Sequence, residues 1–239
     1  MELKELFVQK KIAKAGELAL VLVIPLAVIM VLLPLVGDDP LQRQAIAWVA
    51  NVIMLGIVWG GLRARGQGWG HFGLNNPFGG SESVIRFFLK SLAVFAIALT
   101  AFVIGSVIGA NIVGVPEVSQ TSNYNYLQGN LPMLLLALLA VYVVSSFGEE
   151  AIYRGFLIMR LTELSSGSKK VVRAAVVISS IIFGLIHFDW GVIGIIQTTC
   201  MGLALGASYI YLGRNLSILI LAHAYMDTIL LIQMYLPAS

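Results

Sequence analysis

The stretch Ser145-Ser146-Phe147-Gly148-Glu149-Glu150-Ala151-Ile152-Tyr153-Arg154 sets two acids and an arginine at the end of an apolar run, residues 131 to 147. On a helix, Glu150 and Arg154 stand one turn apart and can pair. Glu149 then points about 100° away and is left for other work. A second group, Phe183-Gly184-Leu185-Ile186-His187, brings a histidine to the end of another apolar stretch, just before Asp189-Trp190-Gly191. A third, His223-Ala224-Tyr225-Met226-Asp227, lies inside an apolar span. Its i,i+4 spacing puts imidazole and carboxyl on one helix face, within reach of each other. Ionisable groups at such positions are costly in lipid, and they usually face a cavity or the bundle interior.

Together these residues supply what hydrolysis of a peptide bond needs. A carboxylate can deprotonate water, an imidazole can share the proton, and a second imidazole can stabilise an oxyanion. Each group also has a plainer reading: an ion pair at a helix end, an interfacial histidine, and a polar pair that glues helices. Other chemistries lack their residues. Cys200 has no base near it in sequence, and there is no G-x-S-x-G elbow and no H-E-x-x-H zinc helix. The lone cysteine can form no internal disulfide. His71, in a loop beside Arg63 and Arg65, reads as solvated.

The elements that must position these groups are membrane helices. Of 239 residues, 59% are hydrophobic and 11% charged, with mean hydropathy +0.91, against about a quarter charged in soluble domains. Uncharged stretches cover 18–36, 44–62, 91–110, 131–147, 174–186, 190–213 and 215–226, the last continuing past Asp227 to about 236. Stretches of this length read as spanning helices. A cleaved leader would be shorter in its apolar part, so the first span is retained. The expected fold is all-α: a polytopic transmembrane bundle of seven or eight helices, the eighth over 149–163. Strands of a membrane barrel would alternate apolar and polar, which nothing here does. The chain reads as one membrane domain, 1–239, with its motif-bearing core over about 131–236.

Basic residues concentrate at the N-terminus (Lys4, Lys10, Lys11, Lys14), over 63–90, over 160–173 and at Arg214. The intervening loops hold Asp38, Asp39, Glu117 and Asp189, with Arg43 as their one basic residue. That asymmetry places the N-terminus in the cytoplasm. The net charge of +3 forms no stripe interleaved with aromatics, so topology explains it and nucleic acid is excluded as a partner. Gly202 and Gly206 form a small-xxx-small pair, read as a helix packing face.

Glu-Glu-x-x-x-Arg, Phe-x-x-x-His and His-x-x-x-Asp, in that order from Glu149 to Asp227, resemble the CPBP family of CAAX prenyl proteases and bacteriocin-processing or self-immunity proteins, also called the Abi family. The resemblance covers the C-terminal third; the first 130 residues match only in being hydrophobic and multispanning. It implies that Glu149 activates water, Glu150 and Arg154 brace it, His187 shares the water, and His223 with Asp227 faces the oxyanion. The prenyl-protease branch carries Asn at the last position. An ionised Asp has no donor, so Asp227 is either protonated or orients His223 through a charge-assisted hydrogen bond; the second is favoured here. Glu149, His187 and His223 would also make a His₂Glu zinc set. A metal-free site is favoured, because Arg154 would repel a cation.

One difficulty is built into this topology. Glu149 lies towards the cytoplasmic side, whereas His187 ends a helix running away from it. They meet only if that helix starts well outside the bilayer, or if Gly148 and Gly191 break their helices to line a cytoplasm-facing cavity. The resulting expectation is an intramembrane endopeptidase in a prokaryotic plasma membrane, acting on membrane-associated peptides, lipidated ones included. The alternatives are a non-catalytic immunity or scaffold protein and a proton-coupled transporter, against which the missing inverted repeats argue.

Overall fold

The computed structural model describes residues 11–37, 39–74, 84–114, 120–165 and 167–236. Lys4, Lys10, Asp38, Glu117 and the loop 75–83 lie outside them. Seven helices follow in order among the described residues: α1 (Lys11–Val36), α2 (Pro40–Ala64), α3 (Val84–Val113), α4 (Leu131–Leu164), α5 (Lys169–Leu185), α6 (Gly191–Tyr211) and α7 (Leu216–Tyr235). Six stretches are long and apolar enough to cross a membrane; α5, with 17 residues, is not among them. The chain is an all-helical, integral, multi-pass membrane protein. Its outward face is apolar, with Ile85, Leu89, Val103 and Ile112 of α3 and Val23, Met30 and Leu35 of α1 exposed, as lipid contact requires.

Helix starts follow local chemistry. Asp39 accepts from the Gln42 amide at 2.8 Å with Pro40 opening α2, and Asn130, Ser168 and Asn215 cap α4, α5 and α7 in the same way. The α3, α5 and α7 helices pack around α6 and α4, while α1 leans on α2. The core gathers Val58, Leu62, Phe72, Phe156, Phe183, Tyr209 and Ala222. A smaller cluster of Leu127, Leu134 and Leu231 closes the far end of α4 and α7.

The segment 149–163, read from sequence as a separate eighth helix, continues 131–147 as one helix of 34 residues. Gly148 does not break it. A Cβ there would come within 3.0 Å of Leu55 Cδ1, so the glycine admits α2 at close range. Two wide π-type stretches, Tyr142–Phe147 and Glu150–Leu157, carry the chain through the motif. Such turns re-aim side chains and often mark functional positions. The Val144 carbonyl in the first of them accepts from Asn51 Nδ2 of α2 at 2.7 Å.

The depth problem is solved by the shortness of α5 and by a turn at Gly191. At 1.5 Å per residue, His187 stands roughly 25 Å from the start of α5, and Glu149 roughly 20 Å from the end of α4. Both lengths are measured from the same end of the bundle, so the residues meet at similar depth. Beyond His187 a short 3-10 turn, Phe188–Trp190, leads into α6 through Gly191, whose φ of 67° suits glycine.

Gly202 and Gly206 form the packing face their spacing suggests: added Cβ atoms would lie 3.2 Å from Ser180 Cα and 2.9 Å from Val176 Cγ1, both on α5. Gly184 is tighter still. Its Cβ would overlap Thr199 Oγ1 and stand 2.7 Å from the Ile195 carbonyl oxygen, part of a backbone that cannot rotate away. Gly184→Ala is therefore expected to destabilise the protein by about 1–3 kcal/mol through overpacking, whereas Gly60→Ala, with open space around it, leaves stability unchanged or slightly raised. Thermal melting of the two variants in detergent checks the contrast.

At the end of the bundle where α1 begins and α2 and α4 finish, five charged residues meet. Glu17 of α1, 6% exposed, accepts from both terminal nitrogens, Nη1 and Nη2, of Arg65 and from Arg160 Nε at 2.9 Å. Arg160 in turn reaches Glu163 at 3.0 Å, which Lys14 also pairs at 3.0 Å. Arg43 is paired with Asp189 at 2.6 Å at the opposite end, beside the turn after His187.

Candidate active site

The three motifs converge from the middle of α4, the end of α5 and the middle of α7. Glu150 is completely enclosed, and Arg154 is 1% exposed. Arg154 Nη1 donates to Glu150 Oε1 at 2.9 Å, the i,i+4 pair that the spacing suggests. The same oxygen accepts from His223 Nδ1 at 2.8 Å, across 73 residues of chain. A charged pair that loses its water must gain such hydrogen bonds to be tolerated. Glu150 therefore works as a bracket, fixing the Arg154 head on one side and the His223 ring on the other.

With Nδ1 committed, His223 presents Nε2 to the other carboxyl groups. It stands 3.8 Å from Glu149 Oε2 and 3.8 Å from Asp227 Oδ1, beyond direct hydrogen-bonding range. Glu149 Oε2 is buried with no hydrogen-bond partner in the protein. Glu149 thus lies on a different face from the Glu150–Arg154 pair, as the 100° step between neighbours requires. Asp227 does not touch His223 directly. Its Oδ2 accepts from Ser146 Oγ at 2.7 Å, and its other oxygen faces the imidazole edge. The contact that orients His223 comes from Glu150, so the partner expected for that task from sequence is the more distant one.

Phe183 holds the remaining pieces together. The Arg154 guanidinium lies over its ring at 4.3 Å, a favourable cation–π arrangement. His187 packs edge-on against the same ring at 4.9 Å between centroids, and His223 at 6.4 Å. His187 Nδ1 is hydrogen-bonded with the Phe183 carbonyl at 2.7 Å. Glu150, Arg154 and His223 therefore share hydrogen bonds, Glu149 and Asp227 each stand 3.8 Å from His223 Nε2, and His187 adjoins them through Phe183. His71 lies elsewhere, exposed beside Phe72. Partial enclosure, and then the Arg160 charge, hold its pKa below the usual histidine value.

An open groove of about 530 Å³ runs along the flank of the bundle, between Leu26, Met30 and Pro34 of α1 and Phe188, the neighbour of His187. Among the described residues no three His, Cys, Asp or Glu side chains are grouped to hold a metal ion. Glu149, His187 and His223 are not grouped as a ready His₂Glu set, although each histidine keeps Nε2 for a further partner while Nδ1 is hydrogen-bonded.

Three contributors were missed in the sequence. Ser146 holds Asp227, Asn51 holds the Val144 carbonyl, and Phe183 supports both histidines. Ser145-Ser146 in an apolar run was the one available signal, since serine without a partner is unwelcome there. Phe183 could be placed only as the first residue of its motif.

A multi-pass helical protein with three acids, two histidines and an arginine meeting inside its bundle has the makings of an intramembrane hydrolase. Residues 131–229 match the family model described as type II CAAX prenyl endopeptidase, Rce1-like, and so bear out the CPBP resemblance. The matched segment contains all three motifs, and its family is described as one of endopeptidases. No curated protein and no solved structure gives a significant match.

Proposed function

We propose that this protein is an intramembrane endopeptidase in which Glu149 activates water for attack on a peptide carbonyl of a membrane-associated substrate. One observation carries the reading: the unpartnered Glu149 Oε2 and the open Nε2 edge of His223 face each other at 3.8 Å. That is a gap a water oxygen or a reacting carbonyl oxygen can bridge. Glu149 takes a proton from water as the hydroxide oxygen adds to the carbonyl carbon. The tetrahedral oxyanion that forms is met by His223 Nε2, which donates as the imidazolium while Nδ1–H is held by Glu150. His187, its Nδ1–H given to the Phe183 carbonyl, offers Nε2 as an acceptor to share the water. When the C–N bond breaks, Glu149 returns its proton to the leaving amine, so the carboxylate is regenerated. Glu150 and Arg154 move no proton and keep the imidazole in register.

Substrates of this chemistry are peptides delivered from the bilayer, of lipidated CAAX type or leader-bearing type. The positive flanks of the spans support a cytoplasmic N-terminus, in a membrane proposed to be a prokaryotic plasma membrane. The test is incubation of purified protein in detergent with a library of membrane peptides, wild type beside Glu149→Ala, with new termini read by mass spectrometry. Termini made only by wild type are expected. Their absence from folded wild-type protein would favour the non-catalytic reading, which the tight Glu150–Arg154–His223 packing also suits. Cleavage is further expected to survive 1,10-phenanthroline, and its abolition by the chelator with restoration by zinc would replace the metal-free mechanism.

A further inference from the structure

We infer that Ser146 is a positioning residue of this site, acting through Asp227; the inference rests on the reading of the site as proteolytic. Helical serines and threonines here ordinarily turn back on their own helix. Thr100, Ser106, Thr162, Ser180, Thr198 and Thr228 each donate to the carbonyl four residues earlier, at 2.6–3.1 Å. Such back-bonding is the usual resting place for a helical hydroxyl. Ser146, with no exposed surface, instead spans to α7 and donates to Asp227 Oδ2 at 2.7 Å.

The wide stretch Tyr142–Phe147 makes this reach available. An extra residue in a helical turn rotates the side chains beyond it, and Asn51 of α2 holds the Val144 carbonyl of the same stretch at 2.7 Å. A second clasp, between Tyr142 Oη and Thr228 Oγ1 at 2.8 Å, ties that stretch to the residue next to Asp227. The carboxylate is rigid and planar, so fixing Oδ2 also fixes Oδ1, which faces the His223 Nε2 edge at 3.8 Å. That is the edge shared with Glu149. The hydroxyl also suits the residue at 227. An Asp carboxylate only accepts, and Ser146 supplies the donor to Oδ2, with the Ser145 hydroxyl a second donor to the same carboxylate.

The role predicts a pattern that a merely structural serine would not give. A charge-assisted hydrogen bond lost from an enclosed site corresponds to about 10- to 100-fold. Ser146→Ala is expected to lose that factor in kcat with KM within about twofold of wild type. In an Asp227→Ala background the same substitution adds no further loss, because its only route to the site is gone. Ser146→Cys, close in size and a weak donor, is expected to behave like Ser146→Ala and keeps the test open should the alanine variant fold poorly. Additive losses in the double variant, or a loss confined to KM, would overturn the assignment. A second readout needs no turnover: imidazole ¹⁵N resonances, assigned among the three histidines by single replacements. Ser146→Ala should shift the His223 signals and leave those of His71 in place. An unchanged His223 overturns the positioning role even if cleavage falls. If wild type cleaves nothing, the proteolytic reading fails alone, and the His223 resonance still decides whether Ser146 orders that edge.

Discussion

Glu149→Gln is expected to slow peptide cleavage by roughly 10²–10⁴-fold, the range that a positioned general base contributes, while the protein melts at nearly the wild-type temperature. The substitution keeps the size and shape of the side chain and removes the group that accepts the proton. It should cost little stability, because Glu149 Oε2 has no hydrogen-bond partner and its ion contact with His223 is long, at 3.8 Å. Glu150→Gln makes the informative contrast. That carboxylate is fully enclosed and receives both Arg154 and His223, so losing its charge leaves a buried guanidinium without its counter-ion. Glu150→Gln should lower activity and melting temperature together. Adjacent acids would then separate chemistry from architecture, read as kcat/KM on one cleaved peptide and as melting temperature in the same detergent. Activity of Glu149→Gln within tenfold of wild type would remove Glu149 as the base.

The division between these two acids was legible in the sequence, and the reason is geometric. A spacing of four fixes partners on a helix whatever the fold around it, so Glu150–Arg154 needed only the assumption of a helix. The apolar runs supplied that assumption, and caps at Asp39, Asn130, Ser168 and Asn215 mark where helices begin. Gly202 and Gly206 were likewise readable, since small residues at that spacing have few other uses in a membrane helix. The features that stayed hidden depend on contacts between distant parts of the chain. Gly148 looked like a helix breaker, and only the Leu55 side chain against it shows why a glycine stands inside a continuous α4. No hydropathy pattern distinguishes a helix with wide turns from a regular one, so the rotation that brings Ser146 to Asp227 could not be foreseen. His223 has a carboxyl four residues away, yet its imidazole is held by one 73 residues away. Local spacing gives candidates, and burial decides among them. The depth of His187 followed from the length of α5, which apolar residues alone do not fix because its first turn is basic.

Glu17 was the largest omission, for it sits in the sequence as an ordinary flank of the first span. In the structure it is the shared counter-ion of two guanidiniums, Arg65 at 7% and Arg160 at 1% exposed, the first just past the end of α2 and the second in α4. Gly61 makes room for it, since a Cβ there would overlap the Glu17 carboxylate. Glu17→Ala is expected to destabilise the protein by about 3–5 kcal/mol, the usual consequence of removing one partner from a buried ion pair. Arg160 retains Glu163 at 3.0 Å and Arg65 retains the Gly61 carbonyl at 2.9 Å, but neither contact restores the lost charge balance. The pairs themselves need not be net stabilising, because desolvating three charges offsets much of their attraction. Glu17→Leu combined with Arg65→Met and Arg160→Met should therefore recover most of the stability that Glu17→Ala loses. Reversible unfolding in mixed micelles measures both variants, and added salt should change neither difference much, since enclosed charges are poorly screened. A loss below about 1 kcal/mol in Glu17→Ala would mean that water reaches the cluster, as with exposed pairs. A full loss with recovery in the triple variant would show that α1 is held to α4 by charge placement, with apolar packing able to take its place.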